Sequence, residues 1–168
     1  MLTEANDLER HDEYRRYAEE VALHFEEGGL SRTVGRIFGW LLICDPPQQT
    51  MDEIAEGLQV SKSSVSTATR DLIRLGMVQR LSLPGERRDY YRVMQGAWET
   101  MMRQGQSQIE SLRQLAEEGL ALLDDQPPQL QERLQEMHDF YAFFEREFPL
   151  LLERWVAEQN RKNERNRP

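Results

Sequence analysis

Cysteine is almost absent from this chain of 168 residues, which contains only Cys44, and long apolar runs are missing as well. A single thiol excludes an internal disulfide and a site built from several thiolates. Cys44 lies in an apolar segment, so we expect a packed core thiol, with redox sensing as the alternative. The longest apolar run, Trp40 to Cys44, is far too short to cross a membrane. Because the first thirteen residues are polar, we expect no secretory signal, no membrane association and a cytoplasmic location.

Residue patterns typical of catalysis and of metal binding are also lacking. The three histidines, His11, His24 and His138, are scattered, and there is no glycine-rich phosphate loop. His138 stands beside Asp139, but the chain has no further ligand three or four residues away. Cys44 has no evident histidine partner for nucleophilic chemistry. We therefore expect neither an enzyme nor a metal site, and no cofactor.

What the chain does contain is a helix-turn-helix pattern that begins at Thr50. Thr50 is followed three residues later by Glu53, a capping box that predicts the start of a helix. The chain then turns over residues 57–60, and Ser61 is a good N-cap for a second helix. Gly76 ends that helix, since glycine readily adopts the left-handed conformation found after helix ends.

The second helix, residues 61–75, has an outer face of small polar and basic side chains. Such a face suits a recognition helix in the major groove of DNA, where short side chains let the backbone approach the base edges. The alternative is that the hydroxyl groups only cap the helix, which explains Ser61 but not four more hydroxyls in six positions. The predicted DNA-contacting residues of this helix are Ser61, Lys62, Ser63, Ser64, Ser66, Thr67 and Arg70.

A β-hairpin is predicted next, with strands over residues 77–83 and 89–93. Valine and tyrosine favour strands, and Pro84-Gly85 marks the turn between them. This arrangement places Arg87 and Arg88 at the tip of the hairpin, where guanidinium groups can reach phosphates or a minor groove. A basic loop is often only solvated, so the hairpin indicates DNA binding only in combination with the helix pair before it.

The charge distribution supports a DNA contact at this stretch. Residues 61–92 contain seven basic and three acidic residues, whereas the whole chain has a formal net charge of −9. A basic region can neutralise phosphates and release their counterions, while the acidic remainder disfavours other orientations on DNA.

Two helices are predicted before the helix-turn-helix. The first covers about residues 5–27 and stops at Gly28 and Gly29. The second begins after Ser31 and ends near Cys44, because two prolines follow. Its two glycines, Gly35 and Gly39, are four residues apart and would let another helix approach closely.

Two longer helices are predicted after the hairpin. One ends at about Leu123, before a break at residues 124–128. In the other, apolar residues alternate spacings of four and three, a heptad pattern that requires a partner helix. Pro149 lies within it and should cause a kink or a break. The predicted dimerisation residues are Leu130, Leu134, Met137, Tyr141, Phe144, Phe148, Leu151 and Trp155. The alternative is a helical hairpin within one chain, with no dimer. Residues 159–168 carry no large apolar group and are expected to be disordered.

The segments GLSRTVGRIFGWLLIC, MDEIAEGLQVSKSSVSTATRDLIRLGMVQR and PGERRDYYRV resemble the GbsR-type branch of the MarR superfamily of bacterial transcription factors. The similarity covers about residues 29–93. It implies a homodimer in which each subunit carries a winged helix, with the recognition helix in the major groove and the wing beside it. Because a helix-turn-helix dimer presents two recognition helices, we expect a near-palindromic site on double-stranded DNA. In such a dimer the two recognition helices lie about 34 Å apart.

The expected fold is mainly α with a small β-hairpin wing, that is, a winged helix-turn-helix with long dimerisation helices. The expected division is a dimerisation helix at 1–28, a DNA-binding domain at 29–95, a helical dimerisation region at 96–158 and a disordered tail at 159–168. We expect a sequence-specific DNA-binding transcriptional regulator, a repressor, acting as a homodimer. The alternative is a protein-interaction module that uses the same fold and the heptad seam without binding DNA.

A small-molecule effector is a further possibility that the sequence leaves unidentified. Aromatic residues are frequent in the outer helices among many acids, a combination that can bind a quaternary ammonium cation such as choline or betaine. An aromatic stripe at heptad spacing, however, usually serves packing.

Overall fold

The computed structural model describes residues 2–165, with side chains from Arg10 onward, and confirms the mainly helical fold with a small antiparallel sheet. The chain divides into two compact units, one ending at Met101 and one beginning at Met102. The elements are α1 Leu2–Glu27, α2 Arg32–Ile43, β1 Gln49–Thr50, α3 Met51–Leu58, α4 Lys62–Arg74, β2 Val78–Ser82, β3 Asp89–Val93, α5 Ala97–Leu122 and α6 Pro128–Arg165. Within residues 2–165, no helix is both long and apolar enough to cross a membrane.

Helices α1 and α2 pack closely because glycine lines their contact. A Cβ atom on Gly35 would lie 2.6 Å from the Cα of Ala22, and one on Gly39 would lie 2.9 Å from the Cα of Ala18. Both alanines are fully buried. The two predicted small positions therefore do allow a close helix approach, and the partner is α1 of the same unit.

The helix-turn-helix begins at the predicted capping box. The Thr50 hydroxyl accepts a hydrogen bond from the Glu53 amide at 3.3 Å, and the Glu53 carboxylate accepts one from the Thr50 amide at 2.6 Å. The turn after α3 contains Gln59 with φ of 55°, an uncommon conformation for a residue with a side chain. Ser61 caps α4, and Gly76, with φ of 66°, follows its last turn. These signals determine where the helix-turn-helix starts, turns and ends.

The sheet has three strands in the order β1-β3-β2, all antiparallel. The predicted hairpin is present, with Val78 opposite Val93 and Ser82 opposite Asp89. Strand β1 was not predicted, because two residues are too few to show an alternating pattern. It pairs Gln49 with Tyr91 and so joins the start of α3 to the hairpin.

In the second unit, α5 and α6 contact each other as a hairpin. Arg113 forms an ion pair with Glu145, and the His138 Nε2 atom lies 3.4 Å from a Glu117 carboxylate oxygen. A helical hairpin within one chain is therefore present and covers part of the heptad seam. The alternative of such a hairpin with no dimer stays a prediction.

Two expectations for the C-terminal helix need correction. Of the two outcomes predicted at Pro149, the break is wrong, because α6 continues through it from Pro128 to Arg165, while the kink stays a prediction. The predicted disorder is wrong for residues 159–165, which form the last turns of α6, while residues 166–168 lie outside the described part. No glycine or proline interrupts this end before Pro168, and Lys162 and Arg165 in the last turn interact favourably with the helix dipole.

Candidate nucleic-acid interface

Helix α4 presents the polar face that the sequence predicted for a recognition helix. Its core side is formed by fully buried Val65, Ala68 and Leu72. On the other side, most of the predicted contact residues are exposed, while Ser64 and Ser66 are half-buried. The exposed members of the set are Ser61, Lys62, Ser63, Thr67 and Arg70.

The hydroxyl groups at the start of α4 form a network of their own. The Ser61 Oγ atom accepts from the Ser64 amide at 3.1 Å and lies 2.9 Å from the Ser63 hydroxyl and 2.7 Å from the Ser64 hydroxyl. Capping therefore explains more of the hydroxyl cluster than Ser61 alone. Thr67 and Ser66 lie outside this network, so capping does not account for the whole face.

The basic residues of α4 have partners within the chain. Lys62 Nζ lies 2.8 Å from Asp52 on α3, and both side chains are largely exposed. Arg70 donates to the Ser66 carbonyl at 3.2 Å and to the Thr67 hydroxyl at 3.3 Å. An exposed ion pair contributes little to stability, so Lys62 can leave Asp52 and bind a DNA phosphate at a small cost in free energy.

A groove of about 330 Å³ lies between α4 and the N-terminal end of α2, a feature that the sequence reasoning missed. It is lined on one side by Ser63, Ser64 and Thr67 and on the other by Ser31 and Thr33. Ser31 is the N-cap of α2, where unpaired backbone amides favour anions. The cap itself was visible in the sequence, but its position beside α4 depends on the tertiary fold.

The wing places Arg87 and Arg88 on an exposed turn between β2 and β3, which includes Gly85 with φ of 86°. The Tyr90 hydroxyl donates to the Glu86 carboxylate at 2.5 Å, and this hydrogen bond raises the pKa of the Tyr90 phenol. The hydrogen bond ties the turn to β3. Across the part of the chain that the structure describes, no ion pair joins Arg87 or Arg88 to an acid.

The remaining basic residues of the hairpin are less available. Arg80 Nη1 lies 3.5 Å from Asp89, and the Arg92 guanidinium donates to the Gln79 side-chain oxygen from Nε at 2.5 Å and from Nη2 at 2.6 Å. The tip of the hairpin therefore carries the positive charge that is most readily offered to a phosphate.

Cys44 is buried, and its Sγ atom lies 3.9 Å from the Leu41 carbonyl. Burial, together with the nearby carboxylates of Asp45 and Glu53, raises the pKa of the thiol to about 11. A thiol that stays protonated at neutral pH is a poor nucleophile. Among residues 2–165, no group of three or more histidine, cysteine, aspartate and glutamate side chains is arranged for a metal ion.

The predicted dimerisation seam is only partly covered within the chain. Leu134, Met137, Tyr141 and Phe148 are half-buried, and a Cβ atom on Gly119 of α5 would lie 2.8 Å from Leu134. The other members of the seam are exposed by 37% to 54%, and they are Leu130, Phe144, Leu151 and Trp155. Three further apolar residues of α6 are also exposed, namely Phe140, Phe143 and Leu150.

Comparison with known proteins agrees with this architecture. A sequence model of the MarR family matches residues 28–89, and a model described as an MmpR5-like MarR family transcriptional regulator matches residues 96–159. The HTH-type transcriptional regulator MmpR5 of Mycobacterium tuberculosis is 40% identical over 129 residues, which cover 77% of this chain and 78% of that protein.

Two further similarities differ in extent. The HTH-type transcriptional repressor OpcR of Bacillus subtilis is 28% identical over 102 residues, covering 61% of this chain and 54% of that protein. A crystal structure of a transcriptional regulator superposes with a TM-score of 0.73 at 36% identity, covering 86% of this chain and 99% of that one. Three findings lead to one conclusion: the winged helix-turn-helix, the family models that match it and the helices after it, and the extensive similarity to MmpR5. This chain belongs to the MarR family of DNA-binding transcriptional regulators.

Proposed function

We propose that this regulator is a homodimeric repressor that inserts α4 into the major groove and rests the tip of its wing on the DNA backbone. The observation that carries the proposal is the pairing of an exposed polar face on α4 with Arg87 and Arg88 at an exposed hairpin tip. The polar residues of α4 would contact the DNA in the major groove, and the two wing arginines would contact phosphates. The α4 residues assigned to this contact are Ser61, Lys62, Ser63, Ser64, Ser66, Thr67 and Arg70. Ser31 and Thr33 would approach the backbone from the groove beside α4. Such a regulator works where the DNA is, in the cytoplasm of a bacterium.

The homodimer is supported by the apolar surface that α6 exposes. Phe144, Leu151 and Trp155 are exposed by 37%, 54% and 46%, and they continue the heptad pattern of the half-buried residues beside them. Large apolar side chains exposed in a contiguous patch mark an interaction surface. We assign this surface to a second copy of the chain, because a near-palindromic DNA site needs two readers related by a two-fold axis. Helix α1 would contribute to the same dimer.

The dimer is testable by sedimentation of the purified protein with and without a charge in the patch. Phe144→Glu should convert the dimer to a monomer, because it places a carboxylate in an apolar interface. Asn160→Glu adds the same charge at an exposed position of the same helix and should leave the dimer intact. A wild-type protein that sediments as a monomer at micromolar concentration would rule out the dimer.

DNA binding by this chain is tested by fluorescence anisotropy with the DNA upstream of its own gene and an unrelated duplex, each at low and near-physiological salt. Specific binding should favour the first duplex and survive the higher salt, with two subunits per site. Equal or absent binding to both duplexes would favour the protein-interaction module instead. The placement within the GbsR-type branch stays a prediction, because the model that matches the C-terminal helices is MmpR5-like.

A cavity in the first unit is the candidate site for a small-molecule effector. Its volume is about 330 Å³. One cation, Arg10, lies in its wall, together with three aromatic rings and three carboxylates, which belong to His11, Tyr14, Trp40, Asp45, Glu53 and Glu56. Aromatic faces with nearby acids attract organic cations, the ligand class that the sequence suggested. Calorimetric titration with choline should release heat that Glu56→Gln reduces. The absence of both heat and a thermal shift would remove this ligand class.

A further inference from the structure

The end of α3 carries backbone carbonyl groups whose partners bear on how α4 is held. The last four carbonyls of an α-helix have no partner within that helix, and they need partners where they are shielded from water. In α3, the carbonyl of Ala55 accepts from the Val60 amide at 3.0 Å, and that of Glu56 accepts from the Gln59 amide at 3.2 Å. The turn itself therefore satisfies the first two carbonyls and leaves those of Gly57 and Leu58.

Two guanidinium groups from other helices complete the set. Arg15 of α1 donates to the Gly57 carbonyl at 3.2 Å, and Arg36 of α2 donates to the Leu58 carbonyl at 3.1 Å. A positive charge at a helix C-terminus also interacts favourably with the helix dipole. The two arginines thus cap the helix that immediately precedes the helix-turn-helix turn.

Both guanidinium groups are oriented by carboxylates of α1. Arg15 forms an ion pair with Asp12, and the Arg36 Nε atom lies 3.1 Å from a Glu19 carboxylate oxygen, an ion pair without hydrogen-bond geometry. Asp12, Arg15 and Glu19 follow one another at helical spacing and share one face of α1. Because the glycines of α2 hold α1 in close contact, this face has little freedom to shift against α2.

We propose that Arg15 and Arg36 act as a guanidinium clamp, a pair of positioning residues that hold the turn of residues 59–61 and thereby couple the position of α1 to that of the recognition helix. Gln59 has a left-handed backbone conformation, which is unfavourable without such support. A displacement of α1 would remove the Arg15 donor from Gly57 and loosen the turn. The clamp rests on the proposed function for its effect on DNA binding, but its structural effect can be measured without DNA.

The test compares Arg15→Met with Arg16→Met, which removes the same charge from the neighbouring exposed position of α1. Native-state hydrogen exchange of the free full-length protein should show the amides of Gln59 and Val60 exchanging about tenfold faster in Arg15→Met, as expected for losing one charge-assisted hydrogen bond. Exchange in the core of α2 should be unchanged, and Arg16→Met should exchange like the wild type. Arg15→Lys keeps a donor and should restore most of the protection.

The same variants then separate the clamp from a direct DNA contact. Arg15→Met should weaken specific DNA binding several-fold without changing its salt slope, because Arg15 is assigned to a carbonyl and not to a phosphate. Unchanged exchange of Gln59 and Val60, or exchange that rises equally throughout the first unit, would overturn the clamp. A wild type that fails to bind DNA would overturn the proposed function alone, since the exchange experiment reads the clamp independently.

Discussion

Replacing both wing arginines, Arg87→Ala with Arg88→Ala, should weaken DNA binding for all sequences and reduce its dependence on salt. Both side chains are exposed on the turn between β2 and β3, and no acid within residues 2–165 pairs with either. Nothing in the free protein has to be broken before they contact phosphates. Each phosphate neutralised by a protein cation contributes about 0.9 to the slope of log K against log salt concentration.

The size of the effect follows from that slope. Losing two phosphate contacts should lower the slope by about 1.8, so a fourfold rise in salt should reduce the affinity of the variant about 12-fold less than that of the wild type. Fluorescence anisotropy at 50 and at 200 mM salt measures the difference on the gene's own upstream DNA and on an unrelated duplex. Because phosphates carry no sequence information, the ratio between the two duplexes should change little.

A charge-preserving variant provides the control. Arg87→Lys with Arg88→Lys keeps both positive charges and should retain the wild-type slope, while losing any bidentate contact that the guanidinium groups make. An alanine variant whose slope equals that of the wild type would refute the assignment of the wing to the DNA backbone. A lysine variant that behaves like the alanine variant would instead indicate that geometry rather than charge governs the contact.

Three further predictions concern residues of the first unit, with Gly105 of the second unit as a control. Thr50→Ala should lower the free energy of unfolding by about 1 kcal/mol in chemical denaturation, because it removes the N-cap of α3. Gly57→Ala should lower the free energy of unfolding by about 1–3 kcal/mol, because the added Cβ atom would lie 2.2 Å from the buried Trp40 ring. The control Gly105→Ala, which has open space around it, should raise the free energy of unfolding by about 0.5–1 kcal/mol. Cys44, with a pKa of about 11 instead of 9.0, should be alkylated about 100-fold more slowly at pH 8 than an unfolded control, and equal rates would show an accessible thiol.

Local signals predicted the helix-turn-helix well, because its boundaries are set by interactions between residues that are close in the sequence. The capping box at Thr50, the cap at Ser61 and the glycine after α4 all act within three or four residues, so they can be read directly from the sequence. Strand β1 escaped prediction for the opposite reason. Its two residues form a strand only because β3 lies beside them, and that neighbour is about 40 residues away in the chain.

The parts of the candidate interface that the sequence did not reveal depend on long-range contacts. Ser31 and Thr33 were visible as the start of a helix, but nothing local places them beside α4. Arg15 and Arg36 are ordinary helix residues by pattern, and only the fold brings their guanidinium groups to the end of α3. Residue type and spacing thus predict what a face can contact, while the partner of a long side chain is decided by packing.

Helix α6 shows what an apolar periodicity can predict and what it cannot. The heptad spacing identified an apolar stripe, but the covered face of α6 is centred on residues such as Tyr141, Phe148 and the buried Leu152, so the stripe is wider than the face that its own chain covers. Helix α5 contacts it through Gly119 and Arg113, a small residue and a charged one. A single neighbouring helix therefore leaves Leu151 and Trp155 about half exposed, so covering the rest of each side chain would contribute roughly 1 kcal/mol. The second chain that we propose would recover this free energy by covering the exposed side of α6.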